Sequence, residues 1–293
     1  MKTYDYKKVD AFTSKESKGN PAAYLFLGDD ELSSEKMLDI GKEHSGFVSE
    51  IVFCSNSKKA DVKLTYYSSE CEVEFCGHGT IATMYDLIKS RRDLYLKKEI
   101  AIETNRKGIL KVFNYIKEDD AVYITAPKAQ HLTSPCNITS IAEALEILES
   151  DISTDLPIDF IDAGLRTLIV PIADFNKEII IFPNEMNLKK FCIDNKIDII
   201  LIFSKKASKA EYKAHTRVFA PKFGYLEDTA TGSGNSAFAN YLLKNHLWTG
   251  NPIAVEQGGE NIAFNTVKLK MNGNDVLFGG SATVRIEGKY NVY

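Results

Sequence analysis

The sequence predicts an α+β protein made of two related, pseudo-symmetric lobes, and three observations carry that expectation. Two segments of one design stand far apart, residues 76–90 (Cys76-Gly-His-Gly-Thr-Ile-Ala onward) and residues 231–245 (Thr231-Gly-Ser-Gly-Asn-Ser-Ala onward). They share Gly77/Gly232, Gly79/Gly234, Ala82/Ala237, Leu87/Leu242 and Lys89/Lys244. Around each, runs of strand-like segments surround one central helix, rather than alternating as βαβ units. Finally, 293 residues with 44% hydrophobic and 26% charged side chains suffice for two cores of ordinary domain size.

The elements follow in order. Tyr4, Tyr6, Val9, Ala11 and Phe12 give a first strand, Lys18-Gly-Asn-Pro21 a turn, and Ala22–Leu27 a second strand. Ser33 and Ser34 before Glu35 start a helix that reaches about His44. Strands are expected at 48–54 and 61–67, then a helix over 79–90, then strands near 99–104, 108–115 and 121–125. The second half repeats the rhythm: a helix over 138–148, strands at 160–161, 167–172 and 179–182, and a helix over 187–195. Strands at 197–203 and 216–220 follow, then a helix over 234–246 and strands near 252–256, 264–271, 275–279 and 281–287. The lobes are expected to be residues 1–118, completed by a C-terminal strand near 280–293, and residues 119–279. A further match lays Gly46-Phe-Val-Ser-Glu50-Ile-Val-Phe over Gly164-Leu-Arg-Thr-Leu168-Ile-Val-Pro.

Composition narrows the function classes. A net charge of −4 and a pI near 5.8 leave no basic surface for nucleic acid. No run approaches the roughly 18 apolar residues of a membrane helix. The first ten residues lack the apolar stretch of a signal peptide. The five cysteines form no Cys-x-x-Cys pair, which argues for a reducing cytoplasm and against a disulfide framework or zinc site.

The chemistry concentrates at the glycine turns. Each presents backbone N–H groups at a helix N-terminus, a setting that suits an anion. Both turns satisfy Gly-x-Gly-x-x-Ala, yet neither follows a buried strand, as a dinucleotide fingerprint requires, and no Lys-Ser or Lys-Thr makes a Walker loop. Cys76 stands where a helix N-terminus favours a thiolate, or simply packs as a small hydrophobe. Thr231 replaces it in the second copy, which argues against racemisation by two thiols. His78, between two glycines, is a candidate proton shuttle. Glu50 interrupts an apolar segment, where a carboxylate suits proton transfer unless it merely faces solvent from a strand end. Asp228 is either a second acid or a helix cap.

In order along the chain, these motifs resemble the phenazine-biosynthesis isomerase-like (PhzF-like) family of the diaminopimelate-epimerase-type fold. Val9-Asp-Ala-Phe-Thr with Lys18-Gly-Asn-Pro-Ala-Ala is similar to that family's opening, and Ser49-Glu50 to its acid/base strand. Cys76-Gly-His-Gly-Thr and Arg217-Val-Phe-Ala-Pro with Glu227-Asp-Thr-Ala-Thr-Gly-Ser-Gly are similar to its two turns. Glu256-Gln-Gly and Phe278-Gly-Gly-Ser-Ala-Thr-Val are similar to its closing strands. The resemblance implies two curved mixed sheets, each barrel-like around a central helix, with the active site in the cleft between lobes. It also implies a homodimer that uses no metal or organic cofactor. By matching position, Glu50 transfers the proton, with His78 and Asp228 assisting. Asn20, Cys76, Gly77, Thr231, Gly232 and Ser233 hold a small carboxylate-bearing substrate. Asp228-Thr229 departs from the Asp-Pro common in the family. The Cys-Gly-His-Gly-Thr turn also resembles proline racemases and hydroxyproline epimerases, so an epimerase or dehydratase is the alternative and a non-catalytic binding protein a second.

Overall fold

A computed structural model describes every residue except Lys15 and residues 260–262. It divides into two compact units, Met1–Ile124 with Gly279–Tyr293, and Thr125–Phe278.

In the first unit, β1 (Lys2–Ala11) lies antiparallel to the closing strand Ala282–Val292 on one side and to β2 (Asn20–Gly28) on the other. Helix α1 (Ser34–Glu43), whose Ser33 hydroxyl accepts the Lys36 N–H, carries the chain to β3 (Ile51–Ser55), parallel to β2. Antiparallel β4 (Val62–Tyr67) follows, then short β5 (Glu72–Val73) and the central helix α2 (Gly77–Ser90). Every residue of α2 from Gly79 to Ile88 is buried, so its apolar surface faces protein all round. The one carboxylate among them, Asp86, is held by the Tyr24 hydroxyl and Lys7. Helix α3 (Arg92–Tyr95), β6 (Glu99–Thr104), β7 (Gly108–Tyr115), α4 (Ile116–Asp119) and β8 (Ala121–Thr125) complete the unit, with β6 parallel to β4.

The second unit opens with β9 (Gln130–Leu132), α5 (Ile138–Leu145) and β10 (Asp159–Asp162). Next come β11 (Arg166–Pro171), α6 (Phe175–Glu178), α7 (Glu185–Asp194), β12 (Ile199–Ser204) and β13 (Tyr212–Phe219). Short β14 (Glu227–Asp228) leads into the central helix α8 (Gly232–Lys244), followed by β15 (Ile253–Gln257), β16 (Asn265–Asn272) and β17 (Asp275–Gly280). β18 (Ala282–Val292) is the closing strand of the first unit. A core of Leu168, Val170, Ile200, Ile202, Leu188 and Phe219 packs α5 and α7 against the strands.

The pairing order shows which elements repeat. β2 and β3 are parallel, as are β11 and β12; β3 and β4 are antiparallel, as are β12 and β13. The short strands β5 and β14 pair antiparallel to β4 and β13, and β6 and β15 pair parallel to those same strands. Thus β2-α1-β3 answers β11-α7-β12, with α6 as an insertion. This corrects the match of Gly46–Phe53 to Gly164–Pro171, because β11 is the partner of β2 rather than of β3. In register, Val52 opposite Tyr66 answers Leu201 opposite Val218, so Ile199, the first residue of β12, and not Leu168 corresponds to Glu50.

Two further expectations change. Glu50 stands just before β3 instead of inside a strand over 48–54. The apolar run at 179–182 forms no strand. Asp174 caps α6 by accepting the N–H groups of Asn176 and Lys177, and Arg217 Nη1 then takes the Glu178 and Ile181 carbonyls. With those acceptors used by a side chain, the run is a bend that leaves Ile180 and Phe182 exposed.

Candidate active site

The first turn is built on the cap of α2. Cys76 has extended backbone angles, and its Sγ accepts the Gly79 N–H at 3.3 Å. A Cβ on Gly79 would lie 3.0 Å from both Cys76 Sγ and Val52, so that close approach favours glycine. The Thr80 hydroxyl donates to the Cys76 carbonyl at 2.7 Å and lies 2.8 Å from the Tyr66 hydroxyl. Burial pushes the Tyr66 phenol upward, so it supports the turn as a neutral group.

This cap presents His78 to Glu50. The imidazole Nδ1 and Nε2 lie 3.5 and 3.8 Å from Cys76 Sγ, and Nε2 lies 3.3 Å from Glu50 Oε2. Glu50 Oε2 is itself buried and makes no aligned hydrogen bond, leaving a lone pair uncommitted beside a proton carrier. Ligand atoms of Glu50, Cys76 and His78 fall within 4.8 Å of one another, the one set among the described residues able to approach a metal ion together. The Sγ is nearly equidistant from both ring nitrogens, so it lies beside the ring rather than beyond either lone pair. A shared ion would require the imidazole to turn. Asn20, buried in the same unit, is the first residue of β2 opposite Ala11, and Gly77 is the first residue of α2.

The second turn gathers Asp228, Thr231, Gly232 and Ser233 within the second unit. Asp228 Oδ2 accepts the Thr231 hydroxyl at 2.5 Å, and Thr231 rather than Asp228 occupies the N-cap position of α8. Thr231, at the N-cap position, makes no side-chain cap, in contrast to Cys76. Gly232 is required by close packing, since a Cβ there would meet the Phe278 ring at 2.2 Å. Gln257 is fully buried and hydrogen-bonds to both Asp228 and Thr231 of this turn, although the sequence offered it only as the middle of Glu256-Gln-Gly.

Behind β14 the Arg217 guanidinium donates to both oxygens of Glu227, at 2.9 and 2.8 Å, while Nη1 holds the Glu178 and Ile181 carbonyls. Arg217 thus ties β13, β14 and the bend after α6 together from the face opposite Asp228. Asp198, the residue before the counterpart of Glu50, is paired with Arg166 through Nε and Nη2 at 3.0 Å each and with Lys222 at 2.6 Å. Burial alone would raise its carboxyl, but these cations outweigh burial and hold it down to about 2. It is a fixed anion with its acceptor capacity spent.

Residues 9–289 match the family model of phenazine biosynthesis-like proteins, PhzC-PhzF. The chain is 30% identical over 291 residues to a Bacillus subtilis protein named uncharacterized isomerase YfhB, covering 98% of this chain and 96% of that one. It is 28% identical to uncharacterized isomerase YddE of Escherichia coli K12, over 82% of this chain and 79% of the relative. Among solved structures, a Bacillus anthracis phenazine biosynthesis protein of the PhzF family superposes with a TM-score of 0.85 at 25% identity, covering both chains fully. A hydroxyproline epimerase from Agrobacterium vitis shares the fold, with a TM-score of 0.61 at 11% identity over 98% of this chain and 92% of that one. No helix of the described residues is long and apolar enough to cross a membrane.

Proposed function

The chain belongs to the phenazine biosynthesis-like (PhzC-PhzF) family, and on that premise we propose that it is a cofactor-independent isomerase that moves a proton on a small carboxylate-bearing metabolite. The observation that carries this reading is the approach of His78 Nε2 to the uncommitted Glu50 Oε2 at 3.3 Å. Glu50 takes a proton from one carbon of the substrate and returns it to another, while His78 shares the proton during transfer. Asp228 assists the transfer, while backbone N–H groups of the glycine turns, with Asn20 and Ser233, hold the substrate carboxylate and the developing negative charge. One base that delivers its proton to a second carbon isomerises; inversion needs an acid on the opposite face. The second copy offers no equivalent acid/base pair: Thr231 replaces Cys76, Ser233 replaces His78, Ile199 stands in register with Glu50, and the neighbouring Asp198 is bound by Arg166 and Lys222. The same reading makes the protein a cytoplasmic homodimer serving a biosynthetic step.

The test is solvent-deuterium incorporation over a panel of small cyclic and acyclic carboxylates, run with the native protein and Glu50→Gln. Glu50-dependent deuterium uptake with a shifted double bond is expected. Absence of Glu50-dependent exchange on every compound that binds would overturn the enzyme reading. Exchange with inversion, or with loss of water, would transfer the assignment to an epimerase or a dehydratase.

A further inference from the structure

The two cap residues of the duplicated turns behave differently, and one buried amide accounts for the difference. We infer that Gln257 is a positioning residue that turns the Thr231 hydroxyl away from helix α8 and onto Asp228. This deepens the reading above, since it rests on Asp228 belonging to the active site.

Gln257 is fully buried, and its hydrogen-bonding capacity is filled. Its Oε1 accepts the Thr231 N–H at 3.0 Å and the Asn235 Nδ2–H at 2.8 Å. Its Nε2 donates to the Asp228 carbonyl at 2.9 Å and to Thr231 Oγ1 at 3.1 Å. A threonine hydroxyl has one proton. Because Oγ1 receives an N–H from Gln257, its own proton is directed along the 2.5 Å approach to Asp228 Oδ2. The Thr231 methyl then faces the third residue of α8: a Cβ on Gly234 would meet Thr231 Cγ2 at 3.4 Å. In α2 the corresponding space is taken by the sulfur that caps Gly79.

The first unit serves as an internal control. In the register of the repeats, Thr216 opposite Gln257 answers Leu64 opposite Thr104, and Val218 opposite Asp228 answers Tyr66 opposite Val73. Where the second unit has Gln257 and Asp228, the first has Thr104 and Val73. Thr104 is occupied within its own turn, donating to the Gly108 carbonyl and accepting the Lys107 N–H. With no amide at the Gln257 position to redirect it and no carboxylate at the Asp228 position, Cys76 caps its helix. With both present, Thr231 orients Asp228 and does not cap the first N–H groups of α8 with its own hydroxyl. Gln257 therefore fixes the carboxylate and keeps the Thr231 hydroxyl off a helix terminus that suits an anion.

The experiment uses NMR of the ligand-free native protein with labelled threonine, aspartate and glycine, so its outcome is independent of whether any substrate turns over. Three-bond couplings from Thr231 Cγ2 to the backbone should report one χ1 rotamer in the native protein. Gln257→Leu should release that rotamer, slow amide exchange at Gly234 by about fivefold as the hydroxyl swings onto it, and move the Asp228 carboxyl titration upward. Thr231→Val should reproduce the Asp228 change without the Gly234 protection, and Thr231→Ser should restore the native titration. If Gln257→Leu does not fold, the native couplings and the Thr231 variants still decide. Rotamer averaging at Thr231 in the native protein would overturn the inference. So would a folded Gln257→Leu with native Gly234 and Asp228 behaviour, and so would a Thr231→Val protein whose Asp228 titrates as in the native chain.

Discussion

Ile199 stands in the second unit where Glu50 stands in the first: two residues on, Leu201 pairs with Val218 as Val52 pairs with Tyr66, and those partners face Asp228 and Val73 before the two glycine turns. Glu50 Oε2 makes no aligned hydrogen bond, whereas Asp198 is bound by Arg166 and Lys222. This position of the duplicated fold thus holds a carboxylate available for proton transfer in one copy, and in the other an aliphatic side chain next to a carboxylate committed to structure.

That contrast predicts an acid-stability effect. The Asp198 carboxyl is held at about 2, below its ordinary value of 3.8. A depressed carboxyl stabilises the fold above its unfolded value, and the contribution disappears as pH falls through the folded value. Asp198→Asn should therefore lower stability at neutral pH by about 1 kcal/mol, allowing for solvent screening. It should lose less than the native protein between about pH 4 and 2. Urea denaturation at neutral pH and across that window checks both signs. A constant difference down to the lower end would show that the ion pairs do not carry the effect.

The cap at Cys76 separates thiol chemistry from glutamate chemistry. Cys76→Ser preserves an acceptor for the Gly79 N–H, so α2 should keep its cap and thermal stability should change little. If Glu50 moves the proton, deuterium exchange should fall by less than about tenfold in this variant. His78→Asn should lower it by about a hundredfold or more, the usual scale of a lost proton-transfer partner. A loss in Cys76→Ser as complete as in Glu50→Gln would instead identify the sulfur as the base.

Arg217 offers a structural test behind the site. Its side chain is nearly fully buried and serves Glu227 and two backbone carbonyls. Arg217→Met leaves a mostly buried carboxylate and two acceptors without this donor, a change that costs about 3–5 kcal/mol. The melting temperature should drop by about 10 °C for a chain of this size. Adding Glu227→Gln should recover part of the loss, because the uncompensated charge goes with it. Strict additivity of the two losses would show that the pair is not coupled.

The sequence made the central helices, their glycine turns and the two-part α+β layout legible because those features rest on local rules: glycine for close approach, apolar periodicity, and capping at a helix start. It misplaced the repeat of Glu50 because Gly46–Phe53 and Gly164–Pro171 are alike in apolar pattern, while pairing partners decide which strand is which. The run Ile179-Ile-Ile-Phe182 has strand composition. Its backbone is nevertheless set by Asp174 on one side and by Arg217, far along the chain, on the other. Gln257 was legible only as part of a motif. Its role depends on four hydrogen bonds to residues 22 to 29 positions away, which no local pattern announces.

Glu178 and His215 give the last expectation. Both are fully buried, with Glu178 Oε1 3.0 Å from His215 Nδ1 but without hydrogen-bond alignment, and Phe175 and Phe264 flank the imidazole edge-on. Burial raises the Glu178 carboxyl, and the attraction of His215 only partly offsets it. A carboxyl raised in the folded state favours folding at low pH, and that contribution is lost as pH rises through the raised value. Glutamine keeps the shape and the amide oxygen while removing the ionisation. Glu178→Gln should thus be at least as stable as the native protein in mildly alkaline solution and lose its relative advantage toward acid. Denaturation midpoints of the two proteins across that range check the sign. A Glu178→Gln protein that is markedly weaker at alkaline pH, and recovers toward acid, would show that the ionised carboxylate is what the buried site holds.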